Sequence, residues 1–451
     1  MNNEVTINIT GLTHQGEGVG RLPDGLAVFV PGVVPGEMAQ VKIIQRKKNF
    51  ARAKLLHILQ ATADRCQPEC SVFSECGGCT LQHVNYQAQL TYKRQQVVDN
   101  LTRIGKLSEV NVESTLGMDN PWHYRNKVHF QVQQINGGIR LGYFEQGSHH
   151  FLPLTPHYCQ LVDEDLNDTA KQVEMILNKH KVSVYNWRTK SGLLRHVLLR
   201  KAVATDQIMV VLVTGRGSWY NQKLIAADIQ KLQPKVVSVI RNINKASNRV
   251  VLGDENITLA GQATITDKLA NLYFEISPNS FYQVNPVQTQ LLYQKALEYA
   301  ELNGNEKVLD AYCGIGTIAL FMAGHAKEVM GLEVVPQAVE NAKENAARNG
   351  VSNAEFYQGE VERMLPLMYK EGYRPGVVVL DPPRKGCEPE VLQTITQMQV
   401  PRIVYVSCDS STMSRDIAYL HENGYQARKV QPVDMFPHTA HVETVVLMSR
   451  K

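Results

Sequence analysis

The chain has 451 residues, 43% of them hydrophobic and 20% charged, with a formal net charge of +4. This is the composition of an ordinary folded protein and not of a disordered one, and the length calls for two or three domains. No apolar run reaches the roughly 18–20 residues of a membrane helix. The start, with Asn2, Asn3 and Glu4, has no basic-then-apolar leader, so a cytoplasmic location is expected.

Residues 1–61 read as short strands separated by Gly and Pro. Val5 to Ile9 alternates, Gly16, Gly18 and Gly20 punctuate, and Leu26 to Val30 is closed by Pro31-Gly32. That pattern predicts a small barrel of the OB type, a fold that commonly binds nucleic acid. Lys42, Arg46, Lys47, Lys48, Arg52 and Lys54 follow one another with no acid between them, as do Arg188, Lys190, Arg195, Arg200 and Lys201. Either run suits a phosphate backbone or a solvated strand face.

Residues 62–275 form a central α+β region. A cysteine-rich loop runs from Cys66 to Cys79, and Gln82 to Ile104, free of Gly and Pro, predicts a long helix that can pack on the C-terminal part. Strands are expected at 127–134, 194–202, 207–213 and 236–242. In residues 276–451 buried strands alternate with helices, the signature of a doubly wound sheet.

Val308 to Ala311 is a strand running into Tyr312-Cys313-Gly314-Ile315-Gly316, a tight glycine turn before an apolar helix. Glu333 ends the next strand about twenty residues on, where a carboxylate can grip a ribose. Without the third glycine of a dinucleotide cradle, the pattern favours S-adenosylmethionine. Val377 to Leu380 ends in Asp381-Pro382-Pro383-Arg384, and Val404 to Ser407 delivers Cys408 to a strand end. Arg384 stands where enzymes that methylate exocyclic amines carry an aromatic residue, which favours a carbon target activated covalently by a thiol.

Taken with Ser280-Phe281-Tyr282-Gln283-Val284-Asn285 and His438-Thr439-Ala440-His441-Val442-Glu443, these motifs resemble the bacterial RNA uracil-C5-methyltransferase family, most closely its 23S ribosomal RNA members. The resemblance implies an N-terminal TRAM barrel, a central region with an iron–sulfur cluster and a Rossmann-like methyltransferase domain. It implies Cys408 as the nucleophile on carbon 6 of a flipped-out uracil and Glu443 as the base that removes the carbon-5 proton. Gln283, Tyr312, Gly314, Glu333 and Asp381 are the expected cofactor contacts, and Phe281, Arg125 and Lys127 the expected RNA contacts. Asp409 and Ser410 depart from the Asn-Pro that often follows this cysteine.

Cys70, Cys76 and Cys79, with distant Cys159, make a three-plus-one set that suits a [4Fe–4S] cluster better than zinc, as in the family pattern. Cys66 is left over, and Cys313 and Cys387 read as packing residues. The expected partner is a loop uridine of 23S rRNA, bound by a monomer. The competing readings are a transfer-RNA methyltransferase, which Met1 to Cys79 argues against, and a non-catalytic RNA-binding or ribosome assembly factor, which has no use for Cys408 and Glu443.

Overall fold

The structure, a computed structural model, describes residues 3–145, 147–148, 150–155, 157–246 and 250–451. Met1 and Asn2, which entered the sequence reading, lie outside them. No helix among the described residues is long and apolar enough to cross a membrane.

Strands β1 (Glu4–Leu12), β2 (Gly18–Arg21), β3 (Ala27–Val30), β4 (Met38–Arg46) and β5 (Phe50–Gln60) close into a barrel in the order β1-β2-β3-β5-β4. Alternate residues point inward, so Ile7, Ile9, Val28, Val30, Val41, Ala51 and Ala53 fill the interior. Gly18 permits the closure, because a Cβ there would stand 2.1 Å from Val33 Cγ2. On the outside Arg46 is paired with Asp24, and Arg52 with Glu17 at 2.5 Å. Lys42, Lys47, Lys48 and Lys54 are left as the exposed cations of this run.

Helix α1 (Tyr86–Arg103) starts four residues later than expected, because Asn85 caps it by accepting from the Ala88 amide at 2.9 Å. Its Val97 and Leu101 enter the same core as Leu309, Ile403, Met413 and Ile417 from the far end of the chain. Lys93 on the same face is 1% exposed and pairs with fully buried Asp434. Its ammonium also donates to the Phe436 carbonyl at 3.0 Å, and Tyr86 donates to Asp434 at 2.9 Å. Burial pulls the Lys93 pKa down and Asp434 pulls it back up. After the helix, Val112 and Leu116 bridge in parallel to Val430 and Val433, padding a sheet edge more than 300 residues later.

The central sheet runs β12-β11-β10-β9-β6-β7-β8. Its strands are β6 (Lys127–Ile135), β7 (Gly138–Phe144), β8 (Phe151–Pro153), β9 (Leu194–Ala202), β10 (Gln207–Thr214), β11 (Val236–Ile243) and β12 (Glu255–Gly261). Helices α2 (Glu164–Lys179) and α3 (Gln222–Leu232) cover one face, against Val197, Leu199, Val210 and Leu212. The other face, with Leu198, Met209, Val211 and Val213, shares a core with the hairpin β13 (Ile265–Leu269) and β14 (Leu272–Ile276) and with Leu292, Val308 and Val404. Being covered on both faces, β9 buries Arg195 and Arg200. Lys201 at its end is engaged by Asp163, Asp165 and Asp206. Of the second basic run only Arg188 and Lys190 are exposed, so it is not the continuous phosphate-binding stripe that the sequence allowed.

The third sheet is built from β15 (Lys307–Ala311), β16 (Glu328–Glu333), β17 (Ala354–Gln358), β18 (Val377–Leu380), β19 (Arg402–Ser407), β20 (Tyr425–Val433) and β21 (Glu443–Arg450). Helices α4 (Pro286–Ala300), α5 (Thr317–Ala323), α6 (Pro336–Arg348), α7 (Val361–Lys370), α8 (Pro389–Met398) and α9 (Ser410–Glu422) flank it. The order is β17-β16-β15-β18-β19-β21-β20, with all neighbours parallel except those of β21. The chain winds outward from β15 in both directions, so a crevice opens at the C-terminal ends of β15 and β18, where open α/β sheets hold their ligands.

Replacing Lys93 by Met strands the Asp434 carboxylate in the core. The expected cost is about 3–5 kcal/mol, and replacing Asp434 by Leu as well recovers part of it. Urea unfolding of the single and double variants measures both numbers.

Candidate active site

The crevice is a cavity of about 750 Å³ lined by residues at the ends of several strands. Its cofactor side begins at β15. Tyr312, Gly314 and Gly316 take left-handed backbone angles (φ 73°, 56° and 82°), which bends the chain sharply into α5. A Cβ on Gly314 would meet nothing within 4 Å, whereas one on Gly316 would press on the Phe356 ring at 3.0 Å. Glu333, at the end of β16, accepts from the Gly314 amide at 3.1 Å and the Val335 amide at 2.8 Å. The first bond ties the two expected cofactor-binding loops together. Asp310 also lines the cavity, completely buried, and neither carboxylate oxygen has a side-chain hydrogen-bond partner. Burial, then Asp381, drives its pKa well above the usual carboxylate range. The sequence places Asp310 at the head of the motif Asp310-Ala311-Tyr312-Cys313-Gly314 but assigns it no contact.

Gln283 reaches the same cavity from the segment before α4. That segment is held by the central sheet: Asn126 donates to the Gln283 carbonyl at 3.0 Å, and Arg200 donates to the Ser277 and Ser280 carbonyls at 3.0 and 2.5 Å. Asn285 caps α4 and also donates to the Met435 carbonyl at 3.0 Å. Phe281 stands at the cavity mouth with its ring 67% exposed, and Lys127 lines the wall. Burial, then Arg200 and Arg125, lower Lys127 to about 8. Arg125 does not line the cavity and lies instead beside Cys159.

The reactive side is set by strand pairing. Because β21 runs antiparallel to β19, with Ser407 opposite Thr444, the next positions in register are Cys408 and Glu443. Leu380 lies beside Tyr405 in the parallel pair β18–β19, which brings Asp381 to the same edge. Asp409 caps α9, accepting from the Ser411 and Thr412 amides, and Ser407 bonds to both its amide and its carbonyl. The thiol is therefore carried on a fixed turn without the Asn-Pro sequence. Glu443 is buried, and burial followed by Asp381 raises its pKa to about 8. Burial alone takes Asp381 to about 7. Burial, Glu443 and Asp381 push Cys408 up to about 11, with Arg384 pulling the other way. His441 lines the cavity, but His438 is turned toward α1, stacked on Trp122 at 3.7 Å and bonded to Gln89.

The cysteine loop packs against the end of β7 through a bridge between Cys76 and Glu145. Burial raises Cys79 to about 12; Gln82 lowers it, and Cys159, Cys76 and Cys70 raise it further. Gln82 donates to Cys79 Sγ at 3.1 Å and accepts from the Cys70 amide at 3.2 Å, and the Gly78 amide donates to Cys76 Sγ at 3.4 Å. N–H donors aimed at sulfur suit thiolate ligands. Among the described residues no three His, Cys, Asp or Glu side chains converge to hold a single metal ion. The groups that perturb Cys66 are Arg65 and Glu69 and no cysteine, so it stands apart from the four. Cys313 and Cys387 are buried.

Residues 85–451 match the family model described as tRNA (uracil-5-)-methyltransferase, and residues 2–56 match the TRAM domain. A Bacillus cereus protein described as an uncharacterized RNA methyltransferase is 46% identical over 449 residues, covering 100% of this chain and 97% of its own. A Clostridium tetani protein of the same description is 44% identical over 448 residues, covering 99% and 96%. The crystal structure of the Pyrococcus abyssi tRNA (uracil-54, C5)-methyltransferase in complex with S-adenosyl-L-homocysteine superposes with a TM-score of 0.78 at 27% identity, over 98% of this chain and 100% of that one. The chain belongs to the S-adenosylmethionine-dependent RNA uracil-C5-methyltransferase family. Its closed barrel is a TRAM domain, and its last sheet is a methyltransferase fold.

Glu443→Gln tests the electrostatics of this pocket. A carboxyl whose folded pKa is raised destabilises the fold as pH rises from the unfolded value, 4.5, to the folded one, about 8. The variant is therefore expected to match the parent below about pH 4.5 and to exceed it at pH 9 by on the order of 1–4 kcal/mol. Urea unfolding across that pH range checks the sign.

Proposed function

We propose that the chain methylates carbon 5 of a uridine in 23S ribosomal RNA, with Cys408 as nucleophile and Glu443 as base. The observation that carries this reading is the strand register that sets Cys408 opposite Glu443 at the edge of one cavity with Asp381. Carbon 5 of uracil is a weak nucleophile. The Cys408 thiol gives its proton to solvent, and the thiolate adds to carbon 6, which turns the ring into an enolate whose negative charge is shared by carbon 5. When bound, S-adenosylmethionine supplies the methyl group that carbon 5 takes. Glu443 then accepts the carbon-5 proton, the carbon 5–carbon 6 double bond re-forms, and the sulfur leaves as a thiolate.

Glu333, Tyr312, Gly314, Gln283 and Asp381 are the residues that would hold the cofactor, and buried Asp310 adds an acceptor without a side-chain partner. Exposed Phe281 offers a ring against the extruded uracil, with Lys127 on the wall for a phosphate or base oxygen. In this reading residues 1–61 bind RNA, residues 62–275 present Cys70, Cys76, Cys79 and Cys159 to a structural [4Fe–4S] cluster, residues 276–451 carry out the transfer, and the enzyme works in the cytoplasm.

A second reading has a specific observation behind it. The Pyrococcus abyssi structure is titled as a tRNA methyltransferase and superposes over 98% of this chain. The segment Met1 to Cys79 therefore does not argue against a transfer-RNA substrate, contrary to the expectation from sequence. Mapping 5-methyluridine in both 23S rRNA and tRNA from a strain lacking the gene decides between them: loss from 23S rRNA is expected, and loss from tRNA alone overturns that choice.

Two variants separate the thiol from the cluster. Cys408→Ala is expected to abolish methyl transfer and the denaturant-resistant adduct with 5-fluorouridine RNA while leaving iron content unchanged. Cys76→Ser is expected to lose iron, and to lose more activity on a structured RNA than on a short oligonucleotide. Glu443→Gln should add the methyl group yet release product slowly, so that methylated RNA stays covalently attached. Normal turnover in that variant assigns the base to another residue.

A further inference from the structure

The hairpin that leads into β9 holds an aromatic and basic surface that the catalytic pocket does not use. Tyr185 and Trp187 pack edge to face with centroids 5.1 Å apart. Between Glu174 and Asp206 the chain has no acidic residue. Arg195, 5% exposed, lays its guanidinium 4.3 Å from the Tyr185 centroid and 4.5 Å from that of Trp187. Its Nη1 donates to the Asn244 and Ala246 carbonyls, both at 2.9 Å, which fixes the cation under the rings. The hairpin itself is rigid. Asn186 accepts from the Arg188 and Thr189 amides at 2.9 and 3.1 Å, and Gly192 (φ 90°) brings the backbone so close that a Cβ would stand 2.1 Å from the Val184 carbonyl oxygen.

Despite this support Trp187 is 49% exposed. Arg188 and Lys190 flank it in solvent, and Arg216 is exposed on the neighbouring loop, which abuts the hairpin where the Gly215 amide donates to the Leu193 carbonyl at 2.7 Å. That loop is held from beneath by Arg241, which donates to the Gly217 carbonyl at 2.6 Å, and it presents Tyr220 at 97% exposure. An indole locked in place by a buried cation, half open to water and ringed by unburied cations, is costly as a mere packing element. It is the arrangement that stacks a nucleobase and neutralises the adjoining phosphates.

We infer that Trp187, propped by Arg195 and flanked by Arg188 and Lys190, is a stacking platform for single-stranded RNA flanking the target uridine. The inference rests on the RNA-methylating reading of the pocket, and it adds a second point of attachment. Arg195, at a bulge in β9, precedes Arg200 by five residues, at most about 17 Å of strand. Lys127 of the catalytic cavity is paired with Arg200. At roughly 3.4 Å per stacked nucleotide, that span takes about five nucleotides. The platform would therefore fix the register of a flanking strand and leave the choice of the reacting base to the pocket.

The test compares binding of oligouridylates of 3 and 20 nucleotides by the full chain. The longer probe is expected to quench tryptophan fluorescence, and Trp187→Ala to weaken its binding by roughly 5- to 150-fold, the range for one stacked base. Binding of the trinucleotide should not change. Trp187→Phe, which keeps a ring, should retain most of the affinity and lose most of the quench. Replacing Arg188 and Lys190 by Ser should lower the salt slope of the 20-mer by about 0.7 per lost phosphate contact. Equal 20-mer affinity in parent and Trp187→Ala overturns the platform, as does an equal loss for both probes. Capture of 5-fluorouridine RNA by Cys408 is scored in parallel: failure in the parent counts against the pocket reading, and normal capture with unchanged 20-mer affinity counts against the platform alone.

Discussion

The antiparallel pairing of β21 with β19 is the constraint on which the site depends. In a wholly parallel sheet every strand ends at the functional edge, and a residue that begins a strand is delivered to the opposite side. Inserting one reversed strand lets Glu443 begin at the edge where Cys408 ends, so residues 35 apart in sequence meet without a long loop to position either one. The same reversal buries Glu443 beside Asp381, and burial raises the pKa of both Glu443 and the Cys408 thiol.

A reversed strand needs its approach held, and the helix that does so comes from the other end of the chain. Lys93 fastens Asp434, Gln89 accepts from the His438 amide at 3.0 Å, and the Thr80 and Leu81 amides donate to the His438 carbonyl at 3.0 Å. His438 itself has a left-handed backbone (φ 65°), a strained conformation for a residue with a Cβ, and it is kept there by Trp122 and α1. The turn that introduces Glu443 is thus shaped by the segment joining the barrel to α1. Gly16 of the barrel, against Thr80 and Ala440, brings the RNA-binding fold to the same spot.

Much of this was legible in the sequence where local pattern and chemistry coincide. Cys408, Asp381 and the Gly314 turn each stand where an apolar strand gives way to a polar loop, so periodicity alone puts them on one edge. What could not be read were the pairings that depend on distant partners. Lys93 falls within a polar helix and reads as a surface residue until Asp434 is placed beside it. Arg195 and Arg200 read as part of a basic stripe, because one strand cannot reveal that both of its faces are covered. Asp310 heads the glycine-turn motif without an assigned contact; only its closure inside the cavity sets it apart.

The Lys93–Asp434 pair spans 341 residues. On a ribosome adding about 5–20 residues per second, α1 emerges roughly 17–70 s before its counter-ion exists. Until then the core partners of Val97 and Leu101 at Ile403, Met413 and Ile417 have not been made, nor have Val430 and Val433, to which Val112 and Leu116 bridge. The methyltransferase sheet is completed only when β21 joins β19 and β20.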